Sequence, residues 1–294
     1  MSTSRPKSSQ RKTITATKLT QRDVDSSSHR LSRVPNKYTV PKAAKSEQPE
    51  SYAISFFNNN PDIQLDKRSP TEKLEEINSR INDEELDENE RFNYLVQRKS
   101  LSFLAYGENS VECFEALRDL GIFYNRQNRP ESALRHLLKA QQISNNIEIS
   151  DEDGLSLAIA LSEAYLSSKA STKAENTKQL NNAEITLSPY IDADVEDKML
   201  AYKRDLLLAR IKSRRNKYDE ALINYDRAIE SLNNAHEGRK VTATAGLFIE
   251  IGECAENQND MKTAIKMYKR AYDTFIELNM PDSAKLIENR IPPN

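Results

Sequence analysis

The feature that most constrains the fold is a spacing between small residues that occurs three times in the sequence. In each case a Gly or Ala is followed by one Ala after 12 residues and by another after 7 more. The sets are Gly121, Ala133 and Ala140, then Ala209, Ala221 and Ala228, then Gly252, Ala264 and Ala271. Within a set, the first residue lies in one helical pattern and the other two lie in the next. Because small residues let two helices pack closely, the spacing predicts repeated pairs of antiparallel helices.

Larger residues accompany the small ones at fixed positions. In the first unit Leu117, Leu120 and Tyr124 share one helical face before a break at residues 125–130. A weaker copy of the pattern, with two extra residues in its turn, lies between the first two sets and contains Leu161, Ser162, Tyr165, Leu180 and Ala183. This order of large, small and aromatic residues resembles the tetratricopeptide (TPR) repeat. The alternative is a non-repetitive helical bundle in which the alanine spacing is coincidental.

The distance between successive units is longer than in ordinary TPR proteins. The small residues of the four first helices fall at Gly121, Ser162, Ala209 and Gly252, in steps of 41, 47 and 43 residues. Ordinary TPR units repeat at about 34 residues, so we expect helices longer by about two turns. Residues 105–111 are similar to the connector of the long-type repeats in kinesin light chains, although Asn-Ser replaces the usual His-Pro. The resemblance implies an all-α, TPR-type α-solenoid.

The sequence predicts four segments. Residues 1–69 are predicted to be a disordered basic Ser/Thr-rich arm, 70–106 a capping helical hairpin, 107–280 about four TPR-like repeats, and 281–294 a C-terminal capping helix with a tail. Ser69-Pro70, Ser150 and Pro281 have the residue types of helix starts, and Leu286 is the expected apolar contact of the last helix. The polar stretch 167–177 is predicted to be a mobile loop.

The arm has a charge opposite to that of the rest of the chain. Residues 1–46 hold eleven Lys or Arg against two Asp, a net charge of +9, so residues 47–294 carry −11 of the total of −2. We expect the arm to be disordered, because it has few apolar side chains to bury. The basic residues of interest are Arg5, Lys7, Arg11, Lys12, Lys18, Arg22, Arg30 and Arg33.

Three interpretations of the arm stay open. It is a solvated linker, a docking segment for an acidic surface such as tubulin, or a mitochondrial targeting sequence, since its first 22 residues contain no acid. Nucleic acid is the least favoured acidic surface, because RGG, RNP and zinc motifs are all absent. The apolar island at residues 51–57 is either an anchor or an incidental cluster.

Catalytic motifs are absent from the sequence. It contains no GxSxG, P-loop, HExxH or GxGxxG pattern, and its three histidines have no partner pattern. We therefore expect no enzymatic activity, no cofactor and no metal. Two distant cysteines, Cys113 and Cys254, form no disulfide framework and indicate a reducing compartment. The absence of a long apolar run predicts no membrane partner and a cytoplasmic protein.

The first helices of the units are expected to line a concave groove. Counting from the small residue of each unit gives the groove-lining set Glu115, Arg118, Asn125, Glu163, Lys203, Leu206, Arg210, Glu253 and Glu256. The Lys and Asn pair with which chaperone-binding TPR proteins clamp a terminal carboxylate is absent. The hypothesis is a non-catalytic scaffold or adaptor that binds peptide or helical segments of partner proteins. The alternative is a structural microtubule-associated or ciliary component that docks on filaments through its arm.

Overall fold

A computed structural model describes residues 66, 68–83 and 85–292. The chain divides between Lys67 and Arg68, and all the helices of the described residues lie after that division. The described residues contain eleven α-helices and one 3-10 turn, and none of them forms a β-strand. The predicted all-α class is therefore confirmed for this part of the chain. The basic arm residues from Arg5 to Arg33 and the apolar island at 51–57 lie outside the described residues.

The helices follow one another with short connections. They are α1 (Pro70–Ile81), α2 (Glu88–Tyr106), α3 (Val111–Arg126), α4 (Pro130–Ser144), α5 (Asp151–Ser167), α6 (Lys173–Leu187), α7 (Lys198–Arg214), α8 (Tyr218–Ala235), α9 (Thr242–Asn257), α10 (Met261–Glu277) and α11 (Pro281–Glu288), with the 3-10 turn Ser188–Tyr190 after α6. No helix among the described residues is both long and apolar enough to cross a bilayer.

Side-chain caps fix the start of several helices. Ser69 and Glu72 form a reciprocal capping box at α1, with Pro70 as its first residue. Ser150 accepts a hydrogen bond from the Asp153 amide at the start of α5. The helix starts predicted at Pro70, after Ser150 and at Pro281 are confirmed.

Five helix ends share one turn geometry. The residues with a left-handed backbone other than glycine are Asn128, Asn216, Glu237, Asn259 and Asn279. In every case the amide of the next residue donates to the carbonyl five residues earlier, as in the bond from Arg129 to Tyr124 and that from Asp260 to Ala255. This bond closes the end of the helix locally. Asn dominates these positions because its side chain tolerates the left-handed region better than most.

The small residues lie where successive helices touch. Helices α3 and α4, α7 and α8, and α9 and α10 pack in pairs, and α5 also contacts α3 and α7. All seven alanines of the three sets are 0% exposed. A Cβ built on Gly121 would lie 2.5 Å from Leu137 Cγ, and one on Gly252 would lie 2.6 Å from the Tyr268 ring. The weaker unit uses a hydrogen bond, because Ser162 Oγ donates to the Ala183 carbonyl at 3.1 Å.

Two local predictions are wrong. The stretch 167–177 is not a loop throughout, because α6 begins at Lys173 with Thr172 as its cap. Thr172 Oγ1 accepts from the Glu175 amide, and the Glu175 carboxylate accepts from the Ser171 amide, so polar side chains here start a helix. In α11, Leu286 is 79% exposed, whereas Ala284 and Ile287 are buried. Adjacent residues of an α-helix are rotated by about 100° about its axis. Leu286 therefore faces solvent while the next residue, Ile287, faces the core.

Candidate functional site

The predicted groove residues lie on α3, α5, α7 and α9, and most of them belong to a network of polar side chains that joins these helices. We call this network the polar face. Three of its links join first helices of successive pairs, α3 to α5 and α7 to α9, across 35 to 40 positions: Arg118 to Asp153, Asn125 to Glu163 and Arg210 to Glu250. The other links have different spacings.

At the α2 end, alternating charges connect three helices. Arg98 of α2 donates to Glu115 at 2.9 Å and also to Asp119, both on α3. Arg118 binds Asp119 at 3.1 Å and reaches Asp153 on α5. Burial alone lowers the pKa of Arg118, but Asp119 and Asp153 outweigh it and raise the pKa above its ordinary value. This end is therefore a charge-compensated cluster.

The middle of the polar face contains a carboxylate without a close cationic partner. Asn125 Nδ2 donates to the Ala160 carbonyl at 2.7 Å and to Glu163 at 3.5 Å. Burial raises the pKa of Glu163, although Lys203, Asn125 and Arg210 act in the opposite direction. Within the described residues, neither Glu163 nor the Lys203 amine forms an ion pair within 4.0 Å. Both side chains are half-buried, so part of each faces solvent.

Further along the chain, Arg210 is held by a two-pronged ion pair. Its guanidinium donates to Glu250 of α9 at 2.6 and 2.9 Å, and the Tyr225 hydroxyl donates to the same carboxylate at 3.0 Å. Burial is the first cause that raises the pKa of Tyr225, and the Glu250 charge adds to it. Arg214 donates to the Leu166 carbonyl at 2.7 Å and so joins α7 to α5. These contacts connect four helices, α5, α7, α8 and α9.

The last link joins α9 to Arg290, two residues after the end of α11. Glu256 accepts from the Tyr268 hydroxyl at 2.8 Å and from Arg290 at 2.7 Å, and Glu253 lies 4.0 Å from Arg290. Burial and the bond to Glu256 raise the pKa of Tyr268 to about 12. The Arg290 guanidinium also stacks over the Tyr268 ring at 5.4 Å.

One predicted groove residue is wrongly placed. Leu206 is 8% exposed and packs in a core cluster with Ala209, Ala221 and Tyr225. Its side chain therefore serves the packing of α7 on α8 instead of lining a surface. The others are half-buried or exposed.

Sequence reasoning missed the partners that hold the predicted residues in place. Arg98, Asp153, Glu250 and Arg290 each bind a residue of the predicted set. A usable signal exists, because Asp153 and Glu250 have the opposite charge and lie about one repeat beyond Arg118 and Arg210. Searching for opposite charges at that offset would have found both pairs.

The described residues show no cluster of three or more metal-ligating side chains. Both cysteines are buried, and Cys113 and Cys254 donate weakly to the Gly107 carbonyl and the Ser213 hydroxyl. Burial raises the pKa of Cys254, which keeps its thiol protonated. The polar face thus offers fixed charges and hydrogen-bonding groups, which suit recognition. No protein-family model matches the chain, and a comparison with curated proteins finds no match.

Proposed function

We propose that this protein is a non-catalytic scaffold of the TPR type, an α-solenoid that binds peptide or helical segments of partner proteins on its polar face. The observation that carries the proposal is the continuity of that face. Links about one repeat apart join α3 to α5 and α7 to α9, and the bond from Arg214 to the Leu166 carbonyl joins α5 to α7. A surface built in this way presents recognition groups in a row, which suits an extended ligand.

The middle of the face is the proposed contact point. The ion pairs on either side link α3 to α5 and α7 to α9, and side chains held in such pairs lose less ordering entropy on binding than free ones. Lys203 and Glu163 have unused donor and acceptor capacity beside these pairs. A backbone carbonyl or acidic side chain of the ligand would accept from Lys203, and a backbone amide would donate to Glu163.

A phage-displayed library of random peptides, selected on the full chain, tests this proposal. The selected peptides are expected to bind the variant Lys203→Glu at least about tenfold more weakly than the unaltered chain, because the substitution opposes an acceptor group. Lys266→Glu, on the exposed side of α10, makes the same charge change elsewhere and is the matched control. Peptides whose affinity is the same for both variants would show that the polar face is not the site.

A second proposal concerns the arm, and the net charge of +9 in residues 1–46 favours it. Through the arm the protein would dock on an acidic filament such as a microtubule, as a structural component. Exposed charges are screened over about 8 Å at physiological ionic strength, so co-pelleting with microtubules should fall as salt rises. Replacing the eight basic residues from Arg5 to Arg33 by Gln should abolish the salt-sensitive part of the co-pelleting with microtubules. Equal pelleting of that variant at low salt would refute filament docking.

A further inference from the structure

A cleft of about 750 Å³ lies between α2 and α4, and α3 forms its floor. It is separate from the polar face, because none of its lining residues takes part in the links of that face. The floor contains the buried residues Cys113 and Leu117 of α3, and buried Ile143 of α4 lies beside them.

One wall of this cleft exposes large apolar side chains. Phe103 is 53% exposed and Leu104 is 70% exposed, and both lie on α2 facing the cleft. A single exposed leucine is ordinary on a protein surface. Two adjacent large side chains beside an apolar cleft form a patch instead, and such patches mark interaction sites.

The walls of the cleft are positively charged. Lys99 stands on α2, and Arg135 and Lys139 stand on α4. None of the three forms an ion pair with another described residue. Their fields converge on His136 between them: burial and these three cations lower the pKa of that imidazole to about 4. Among the described residues that line the cleft, Glu108 is the sole acid.

We propose that this cleft binds an acidic amphipathic helix of a partner protein. Apolar residues on one face of that helix would cover Phe103 and Leu104 and pack on α3. Carboxylates on its flanks would pair with Lys99 on one wall and with Arg135 and Lys139 on the other. A helix suits the site because the cleft lies between two helices that pack on a common third, which is the arrangement that accepts another helix in a groove. Charge complementarity selects an acidic partner over a basic one.

Fluorescence anisotropy with a labelled synthetic helix tests the proposal on the full chain. The probe has about 16 residues, with Leu at helical positions i, i+3, i+4 and i+7 of each segment and mostly Glu elsewhere. We expect saturable binding that weakens at least about tenfold with Leu104→Ser and with Lys139→Glu. Leu286→Ser and Lys266→Glu are the matched controls, because they change an exposed leucine on α11 and an exposed lysine on α10. Both should bind the probe like the unaltered chain.

Several results would overturn the proposal. A peptide of the same composition with its leucines spread around the helix should fail to bind. If it binds as tightly as the amphipathic probe, the cleft does not require an apolar helix face. A second control peptide carries Lys at the positions of the Glu residues. If it binds as tightly as the acidic probe, the three cations of the cleft do not select the ligand. Loss of affinity in the Leu286 and Lys266 controls would place the site elsewhere. Binding that appears only after residues 51–57 are replaced by Ser would make the chain's own segment the occupant. Both α2 and α4 substitutions are at exposed positions, and circular dichroism checks that the helices are intact.

Discussion

Replacing Gly252 by Ala tests how closely α9 approaches α10. A Cβ at this position would lie 2.6 Å from Cε1 and 2.9 Å from Cδ1 of the Tyr268 ring. The ring cannot easily move away, because its hydroxyl donates to Glu256 at 2.8 Å and accepts from Arg290 at 3.0 Å. The same helix holds a second glycine, Gly246, whose added Cβ would meet nothing within 4 Å.

The two glycines therefore separate helix propensity from packing. In a helix interior, Gly→Ala gains about 1 kcal/mol, so Gly246→Ala should raise the free energy of unfolding by about that amount. At Gly252 the same gain is opposed by an overpacking cost of about 1–3 kcal/mol. The free energy of unfolding of Gly252→Ala should therefore fall by up to about 2 kcal/mol. It should be lower than that of Gly246→Ala by about 1–3 kcal/mol.

Urea unfolding followed by circular dichroism measures both variants. A third experiment repeats Gly252→Ala in a Tyr268→Leu background, where the smaller side chain should leave room for the methyl group and reduce the cost. If Gly252→Ala stabilises the protein as much as Gly246→Ala does, the close approach of α9 and α10 at Tyr268 is refuted. An unchanged cost in the Tyr268→Leu background would refute Tyr268 as its cause.

Three further perturbations have defined outcomes. Asp205 is 1% exposed and binds the buried Arg204 at 2.8 Å, so Asp205→Ala should lower the free energy of unfolding by about 3–5 kcal/mol by leaving an uncompensated charge. The control Asp282→Ala, at a side chain 97% exposed, should change it by less than about 0.5 kcal/mol in the same urea titration. Glu237→Asn should stabilise by up to about 1 kcal/mol, since Glu237 has a φ of 53°; a loss in melting temperature would contradict this. Burial raises the pKa of Glu163 above 4.5, so the folded state binds its proton more tightly than the unfolded chain and stability falls as pH rises through that window. Glu163→Gln should therefore be more stable than the unaltered chain at neutral pH and lose that advantage below pH 4.5. A difference in free energy of unfolding that grows on acidification would contradict the raised pKa of Glu163.

Close packing between helices was predictable from the sequence because it depends on residue size at fixed spacing. A position that faces a neighbouring helix at short distance favours Gly, Ala or Ser, so three sets with one spacing identify the contact. The seven alanines of those sets have no exposed surface. Helix starts were predictable for a similar reason, since a Ser or Pro at a start acts on the first turn alone.

Side-chain direction was harder to predict because it depends on the rotation of a helix about its axis. A rotation of about 100° separates adjacent residues, which is enough to bury Ile287 and expose Leu286. Leu206 was wrongly assigned to the groove because the sequence does not specify how α7 is rotated relative to α8. The charge pairs of the polar face require the relative position of three helices, and the cleft between α2 and α4 requires two helices that are not adjacent in the chain.

The locally closed turns have a consequence for synthesis on the ribosome. The turn bond after α9 spans five residues, and Gly252 meets Tyr268 only 16 residues later. A hairpin of this kind needs no distant segment to form, so its folding nucleus is complete when the second helix has left the exit tunnel. Chains dominated by such short-range contacts fold quickly, and domains emerge N-terminal part first at about 5–20 residues per second. We expect the helix pairs to form in their order of synthesis, each new pair covering the apolar side of the one before it.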